Sequence, residues 1–187
     1  MIKKKKTQIF NKLLNILFKS KSFYGGTFKS INKNIYPYIY GIRNNQIIIN
    51  LQYINIFIKR IFKLIKLNLK KKKKILIISN STDSNFLIKP KNFNNNSSII
   101  FFNQKWINGN ITNKKINFFI KKHKINLIII YKNSTTFLNK ELFSLKIPII
   151  SLIDINHNID KINYPIVTNI KNIKSLYSFI YIFKNLI

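Results

Sequence analysis

Two short apolar runs, residues 125–131 (INLIIIY) and 147–154 (IPIISLID), stand out in the pattern of hydrophobic and polar positions. Each has the length of a strand and lacks the alternation of a strand with one solvent-exposed face. A segment of about a dozen residues with helical spacing separates them. Parallel strands that are covered on both faces have this continuous apolar pattern, so the segment predicts a βαβ unit.

The same pattern predicts the neighbouring elements. Strands are expected at 47–51, 75–79 and 98–102, and amphipathic helices at 7–18, 52–69, 113–124 and 169–186, the first capped by Thr7. Turns are expected at Gly25-Gly26, since glycine accepts positive φ, and over 41–45, whereas the stretch ending at Tyr164-Pro165 is expected to be a loop. The buried face of the last helix is predicted to comprise Ile173, Leu176, Tyr177, Ile180, Tyr181 and Phe183.

The alternation of strands and helices predicts an α/β protein, a three-layer αβα sandwich around a mainly parallel sheet in flavodoxin-like or Rossmann-like order. Its 187 residues suffice for a single domain, with an N-terminal helix and loop extension at 1–33 and the α/β core at 34–187. No apolar run reaches the roughly 18 residues that cross a bilayer, and we expect no signal or transit peptide. The chain lacks cysteine, which excludes disulfides.

Charge is the most unusual property of the sequence. The chain has 34 Lys and Arg residues but 4 Asp and Glu residues, which gives a formal net charge of +30. A compact domain with this excess repels itself, so a polyanion such as nucleic acid is the expected partner. The dominant residues, Lys, Asn, Ile, Phe and Tyr, have A/T-rich codons, so mutational drift accounts for part of the lysine excess. Arg43 and Arg60 are the two arginines.

The candidate chemistry is sparse. Asp154 follows a strand and His157 comes three residues later, which raises an enzyme hypothesis, but the pair lacks the further ligands or nucleophile that a site requires. Hydrogen bonding within the loop is the expected role of Asp154, and an ion pair with a lysine that of Glu141. We therefore expect no enzyme, cofactor, metal site or small-molecule substrate. The alternative is a free-standing nucleic-acid-binding enzyme of Rossmann-like fold.

Two other interpretations concern surfaces. Tyr36, Tyr38 and Tyr40 alternate close to Arg43, and they could either stack on RNA bases or pack along one face of a strand. Attachment to an anionic membrane would need the lysines on one amphipathic face, whereas they are spread over several elements. We therefore expect no membrane partner.

Three blocks of the sequence resemble the ribosomal protein S2 family of the small ribosomal subunit. Residues 101–113, FFNQKWINGNITN, are similar to the family signature Phe-Val-Asn-x-Arg-Trp-Leu-Gly-Gly-x-Leu-Thr-Asn, with Lys105 in place of Arg and Asn108 in place of the first Gly. Residues 34–51 are similar to its Pro-Tyr/Phe-Ile-x-Gly-x-Arg-Asn segment and the Ile-Ile-Asn/Asp-Leu that follows. Residues 141–169 are similar to its Glu-Ala, Ile-Pro-Val and Asp-Thr-Asn series.

The sequence departs from the family pattern at three places. The family's His-Phe-Gly-His is Phe-Tyr-Gly-Gly at 23–26, and its terminal Asn-Asp-Asp is Asn-Ile-Lys at 169–171. Bacterial members carry a long helical hairpin after the tryptophan block, where this chain has only residues 113–124. The resemblance therefore implies a reduced member of the family without the projecting arm.

The resemblance also implies a function. It predicts a structural constituent of the small subunit that binds small-subunit rRNA between head and body, supports translation and contacts neighbouring small-subunit proteins. With the A/T-rich composition, it implies the ribosome of a plastid, including an apicoplast, or of a mitochondrion, encoded in the organelle genome. Trp106 is expected to anchor its loop in the core. The predicted RNA-binding residues are Lys3, Lys4, Lys5, Lys6, Arg43, Lys70, Lys71, Lys72, Lys73, Lys74, Lys105, Asn113, Lys114, Lys115, Lys121 and Lys122.

Overall fold

The first part of the chain forms a helix and a small antiparallel sheet. The computed structural model describes residues 2–27, 31–79, 98–102, 109, 115–131 and 136–184. Helix α1 (Ile2–Lys19) is followed by strands β1 (Tyr24–Thr27), β2 (Ile39–Arg43) and β3 (Gln46–Ile49), with a 3-10 helix (Lys33–Tyr38) before β2. The three strands pair antiparallel in the order β1-β3-β2.

The second part alternates strands and helices and builds the main sheet. In chain order its elements are α2 (Leu51–Lys70), β4 (Lys74–Ser79), β5 (Ile99–Phe102), α3 (Lys115–Lys122), β6 (Ile125–Tyr131), α4 (Thr136–Phe143), β7 (Ile149–Ile153), β8 (Tyr164–Val167) and α5 (Ile173–Lys184). The five strands are parallel in the order β5-β4-β6-β7-β8. This is the 2-1-3-4-5 order of flavodoxin-like sheets, so the predicted α/β class with a mainly parallel sheet is confirmed.

The central strands are apolar throughout because helices cover the sheet. All five residues of β7 are buried, as are all residues of β6 except Asn126. Helix α2 packs on β4 and β8, and α1 packs on α2 and α5. The βαβ unit predicted from the two apolar runs is confirmed, with β6 at the predicted residues and β7 shortened to Ile149–Ile153.

The strand predicted at 47–51 belongs to the antiparallel sheet and not to the main one. Asn44 and Asn45 have φ of 50° and 58° and form a two-residue turn, which can join only antiparallel strands. The strand ends at Ile49 because Asn50 caps α2, and its Oδ1 accepts hydrogen bonds from the N–H groups of Gln52 (3.0 Å) and Tyr53 (3.4 Å).

Two N-terminal predictions are wrong. Helix α1 begins at Ile2, so Thr7 lies inside it and does not cap it. Gly25 and Gly26 lie in β1 without positive φ. A Cβ on Gly25 would lie 3.1 Å from the Cβ of Ile47 and 3.3 Å from Cγ2 of Ile155, so glycine serves close packing there, not a turn. The division between an extension at 1–33 and a core at 34–187 stays a prediction, although β1 pairs with β3 across it.

Two C-terminal predictions are also wrong. The stretch predicted as a loop at Tyr164-Pro165 is edge strand β8, in which Pro165 lies opposite Ser151 and an edge tolerates the missing N–H. In α5 the expected face is displaced, since Ile173, Tyr177 and Tyr181 are exposed whereas Phe179 and Ile182 are buried. The buried stripe runs through positions 176, 179, 180 and 183, the i, i+3, i+4, i+7 pattern.

Candidate nucleic-acid interface

The amino-terminal edge of the main sheet brings two lysine clusters together. Lys74 at the start of β4 lies opposite Ile125 at the start of β6, because these parallel strands are neighbours. The segments that lead into them therefore meet at one edge. We call Lys70, Lys71, Lys72, Lys73, Lys74, Lys121, Lys122 and Lys124 the amino-edge lysines. All are exposed except Lys74, which is half-buried.

The ends of the preceding helices place these lysines. Lys72 follows α2 with φ of 52°, its N–H donates to the carbonyl of Leu69 (2.9 Å), and the N–H of Lys73 donates to that of Asn68 (2.9 Å). This is a Schellman cap, whose left-handed position is usually glycine. Lys124 (φ 49°) and Lys146 (φ 55°) take the same conformation after α3 and α4. Lysine at a helix C-terminus also interacts favourably with the helix dipole.

The amino-edge lysines are not neutralised within the described part of the chain. The carboxylates described are those of Glu141, Asp154 and Asp160, and none forms an ion pair with these lysines. The charge at this edge is therefore directed at solvent, where it can attract a polyanion.

Arg43 lies elsewhere, exposed at the end of β2 beside the hairpin turn. This hairpin comes before Leu51, the first residue of α2, and Lys70 is the last residue of the same helix. Because a helix rises about 1.5 Å per residue, α2 spans about 30 Å between the hairpin segment that precedes it and Lys70. The predicted RNA-binding residues thus fall in at least two separate places.

The remaining predicted residues have no described side chains. Lys105, Asn113, Lys114 and Trp106 lie outside the described residues. Backbone alone is described for five others, which lie in α1 and α3: Lys3, Lys4, Lys5, Lys6 and Lys115.

The carboxyl-terminal edge of the sheet holds the pair considered for catalysis. Asp154 is 2% exposed, and its Oδ1 accepts a hydrogen bond from the N–H of Ile155 (2.9 Å). Its Oδ2 lies 3.7 Å from Nζ of Lys171. His157 donates its backbone N–H to the carbonyl of Asp154 (3.1 Å), while its buried Nδ1 has no partner among the described residues. These contacts stabilise the loop and form no hydrogen-bonded catalytic dyad.

A buried hydroxyl network, which sequence reasoning missed, lies at the same edge. Oγ of Ser22 lies 2.6 Å from Oγ of Ser20 and accepts a hydrogen bond from Oγ of Ser175 (3.0 Å). Oγ1 of Thr168 donates to the carbonyl of Ser22 (3.1 Å). The network joins the α1–β1 connection to β8 and α5. Serine and threonine are common in loops, so the sequence carries no signal for it.

Glu141 contacts the tryptophan block, a contact not predicted from the sequence. Its Oε1 accepts a hydrogen bond from the N–H of Gly109, which has φ of 90°. Helix α4 is thereby joined to the block at 101–113. A side chain at Gly109 would be strained by the positive φ.

The tyrosines before the hairpin divide between the two interpretations. The Tyr38 ring packs 5.6 Å from that of Tyr53 and 5.8 Å from that of Phe57. Burial, with a smaller contribution from Tyr53, raises the pKa of Tyr38. Tyr36 and Tyr40 are instead 52% and 77% exposed. Tyr38 is thus a packing residue, whereas the other two are accessible.

Two further properties bear on the kind of partner. Among the helices that the structure describes, none combines the length and apolar character needed to cross a membrane. The described side chains also contain no group of three His, Cys, Asp or Glu residues placed to hold a metal ion.

Comparison with known proteins gives a family relationship. The family model described as Ribosomal protein S2 matches residues 17–128 and 120–187, and so covers far more than half of the chain. No curated protein matches the chain. The two matched segments overlap at 120–128, close to the interval where the resemblance predicts a missing hairpin. Within residues 115–131, α3 ends at Lys122 and β6 begins at Ile125, so no helical hairpin separates them.

Proposed function

Because the chain belongs to the ribosomal protein S2 family, we propose that it is a structural constituent of an organellar small ribosomal subunit and binds small-subunit rRNA through its amino-edge lysines. The family supports the coarser statement that this is a small-subunit ribosomal protein. The proposal adds which RNA, which surface and which compartment.

The convergence of two lysine clusters at one edge of the sheet carries the proposal. Phosphate contacts from lysine supply sequence-independent affinity, because each contact releases condensed counterions from the RNA. Seven exposed lysines at a single edge concentrate positive charge there, which favours contact with several phosphates of one RNA segment. With a net charge of +30, such a partner also relieves the self-repulsion of the folded chain.

The placement in the subunit follows the family resemblance. We propose a site between head and body, with neighbouring small-subunit proteins as further partners. Where bacterial members have a projecting arm, α3 passes into β6 through two residues. Contacts made by that arm must therefore be absent or made by other components.

The organellar assignment rests on composition. The excess of Lys, Asn, Ile, Phe and Tyr fits an A/T-rich genome, as in plastids, apicoplasts and mitochondria.

Members of a structural ribosomal family need no catalytic centre, which agrees with the contacts of Asp154, a buried residue bonded to Ile155 and close to Lys171. Among the described residues, these contacts give no support to the alternative of a free-standing enzyme.

Sedimentation of a tagged chain tests the proposal. Plastids and mitochondria are purified separately and lysed, and each lysate is separated on a sucrose gradient. We expect the tagged chain to migrate with the small subunit from one organelle and to be released at high salt. A chain that stays at the top of both gradients without RNA would refute the function, and migration with a cytosolic subunit would refute the compartment.

A further inference from the structure

A cleft of about 450 Å³ lies between the C-terminal end of α1 and the β2–β3 hairpin. Ligand pockets in proteins span roughly 300–1,000 Å³, so its size suits a small planar group. Three aromatic residues line one part of it. The rings of Phe18 and Phe23 stack with centroids 5.1 Å apart and planes 11° apart, and the ring of Tyr24 lies 4.4 Å from that of Phe23.

The outer rings of this aromatic stack are open to solvent. Phe18 is 62% exposed and Tyr24 is 37% exposed, while Phe23 between them is half-buried. Another flat aromatic group placed on an outer ring would extend the stack and remove apolar surface from water. Clustered exposed aromatics of this kind mark interaction sites more often than isolated ones do.

The opposite rim of the cleft is polar. Arg43, Asn44 and Gln46 line it, and all three are exposed. A guanidinium and two amides offer donors and acceptors that match the edges of nucleobases, and the guanidinium plane can also stack on a base. Asn44 lies in the tight hairpin turn, so a rigid element presents this rim.

We propose that this aromatic cleft binds an unpaired RNA base, stacked on Phe18, the more exposed of the two outer rings, and hydrogen-bonded at its edge by the hairpin. The choice of RNA rests on the proposed function and on the net charge of +30. An apolar side chain from a neighbouring protein would use the rings but leave Arg43, Asn44 and Gln46 without partners. Aromatic faces combined with arginine are the usual means by which proteins hold single-stranded bases.

The cleft would add a second point of attachment. It adjoins the hairpin that precedes α2, whereas Lys70 is at the other end of this helix of about 30 Å. Those lysines bind phosphates in any sequence, whereas the cleft selects a base that is free of its partner strand. A single-stranded loop beside a helical segment of rRNA would satisfy both sites.

The test compares two labelled RNA hexanucleotides, one with bases and one abasic, in fluorescence-anisotropy titrations of the full chain. Both carry the same phosphates, so the ratio of their affinities reports base contacts alone. We expect the unmodified chain to bind the base-containing oligonucleotide about tenfold or more tightly, since stacking of one base changes affinity by about 5- to 150-fold.

The variants assign this preference to the cleft. Phe18→Ala should remove most of it without changing the affinity for the abasic oligonucleotide, and Phe18→Tyr should retain it. Phe118→Ala is the matched control, since Phe118 is 68% exposed and lies outside the cleft. If Phe18→Ala fails to fold, Arg43→Gln replaces it, with an expected loss of several-fold in the preference.

The outcomes separate the two proposals. Equal affinity of the unmodified chain for both oligonucleotides, or a preference that survives Phe18→Ala, overturns the cleft while leaving phosphate binding intact. Binding of neither oligonucleotide overturns the proposed RNA binding as well. Loss of a neighbouring protein from subunits that contain Phe18→Ala, with the base preference unchanged, would assign the cleft to a protein and reject the proposal.

Discussion

The polar side chains described at the two edges of the main sheet differ in their exposure and in their contacts. At the amino edge, lysines such as Lys72 and Lys122 are exposed and unpaired within the described part of the chain. At the carboxyl edge, Asp154, Thr168 and Ser175 are buried and bonded to other parts of the protein. Doubly wound α/β proteins usually bind ligands at the carboxyl edge. Here internal contacts occupy the described part of that edge, after β7 and β8, which agrees with the proposed role of the amino edge in RNA binding.

The largest expected effect comes from removing charge at the amino edge. The variant Lys71→Gln, Lys73→Gln, Lys121→Gln, Lys122→Gln should bind small-subunit rRNA about 100-fold more weakly at moderate salt. The slope of log affinity against log salt should fall by about one for each phosphate that the variant no longer neutralises. Filter binding over a salt series measures both quantities.

The control for this variant removes the same charge elsewhere. Lys12, Lys21, Lys33 and Lys174 are exposed on other elements, and changing all four to Gln gives the same net charge. This variant should lose less than about tenfold in affinity. Equal losses in the two variants would mean that total charge, and not the amino edge, determines binding.

A smaller effect is expected on stability at the carboxyl edge. Ser175→Ala removes the hydroxyl that donates to Ser22 and so breaks one buried hydrogen bond between elements, and the free energy of unfolding should fall by about 0.5–1.5 kcal/mol. Urea unfolding measures this change, and RNA affinity per folded molecule should not change.

Ser178→Ala is the matched control on the same helix. Ser178 is also buried, but its hydroxyl donates to the carbonyl of Ser175 within α5 (2.7 Å) and joins no other element. Alanine also has the higher helix propensity, so the free energy of unfolding should change by less than about 0.5 kcal/mol. Similar losses in the two variants would argue against a stabilising network between elements.

The smallest effect concerns the helix ends at the amino edge. Lys72 has φ of 52°, whereas its neighbour Lys71 has φ of −83°. Lys72→Gly relieves a left-handed conformation that glycine adopts freely, while Lys71→Gly only adds disorder to the unfolded chain. The first variant should be more stable than the second by about 1 kcal/mol in thermal unfolding. If the order is reversed, the Lys72 side chain stabilises the fold by another contact.

The central strands β6 and β7 are predictable from the sequence because their signal is local. A strand that is covered on both faces must be apolar throughout, and residues 125–131 and 147–154 meet that condition. The predicted bounds of helix α2 agree with the structure within one residue at either end, since its stripe is regular and its termini are polar. These features depend on neighbours along the chain.

The wrong predictions share a dependence on distant contacts. The sequence predicts a turn at Gly25, but Ile47 and Ile155 explain why this residue has no side chain. β8 is recognisable only through its pairing with β7, because Pro165 opposes a strand assignment unless the strand lies at an edge. For the candidate interface, the sequence identifies the lysines, while only the sheet order brings residues 70–74 and 121–124 together.

The hydroxyl network has a consequence for the order of folding. The Ser22 hydroxyl meets that of Ser175, 153 positions further along the chain. During synthesis β1 therefore emerges from the ribosome long before α5, which carries Ser175. Until α5 arrives, the Ser22 hydroxyl lacks its partner on that helix, and this part of the carboxyl edge stays open. Synthesis of α5 is thus the event that closes this side of the molecule.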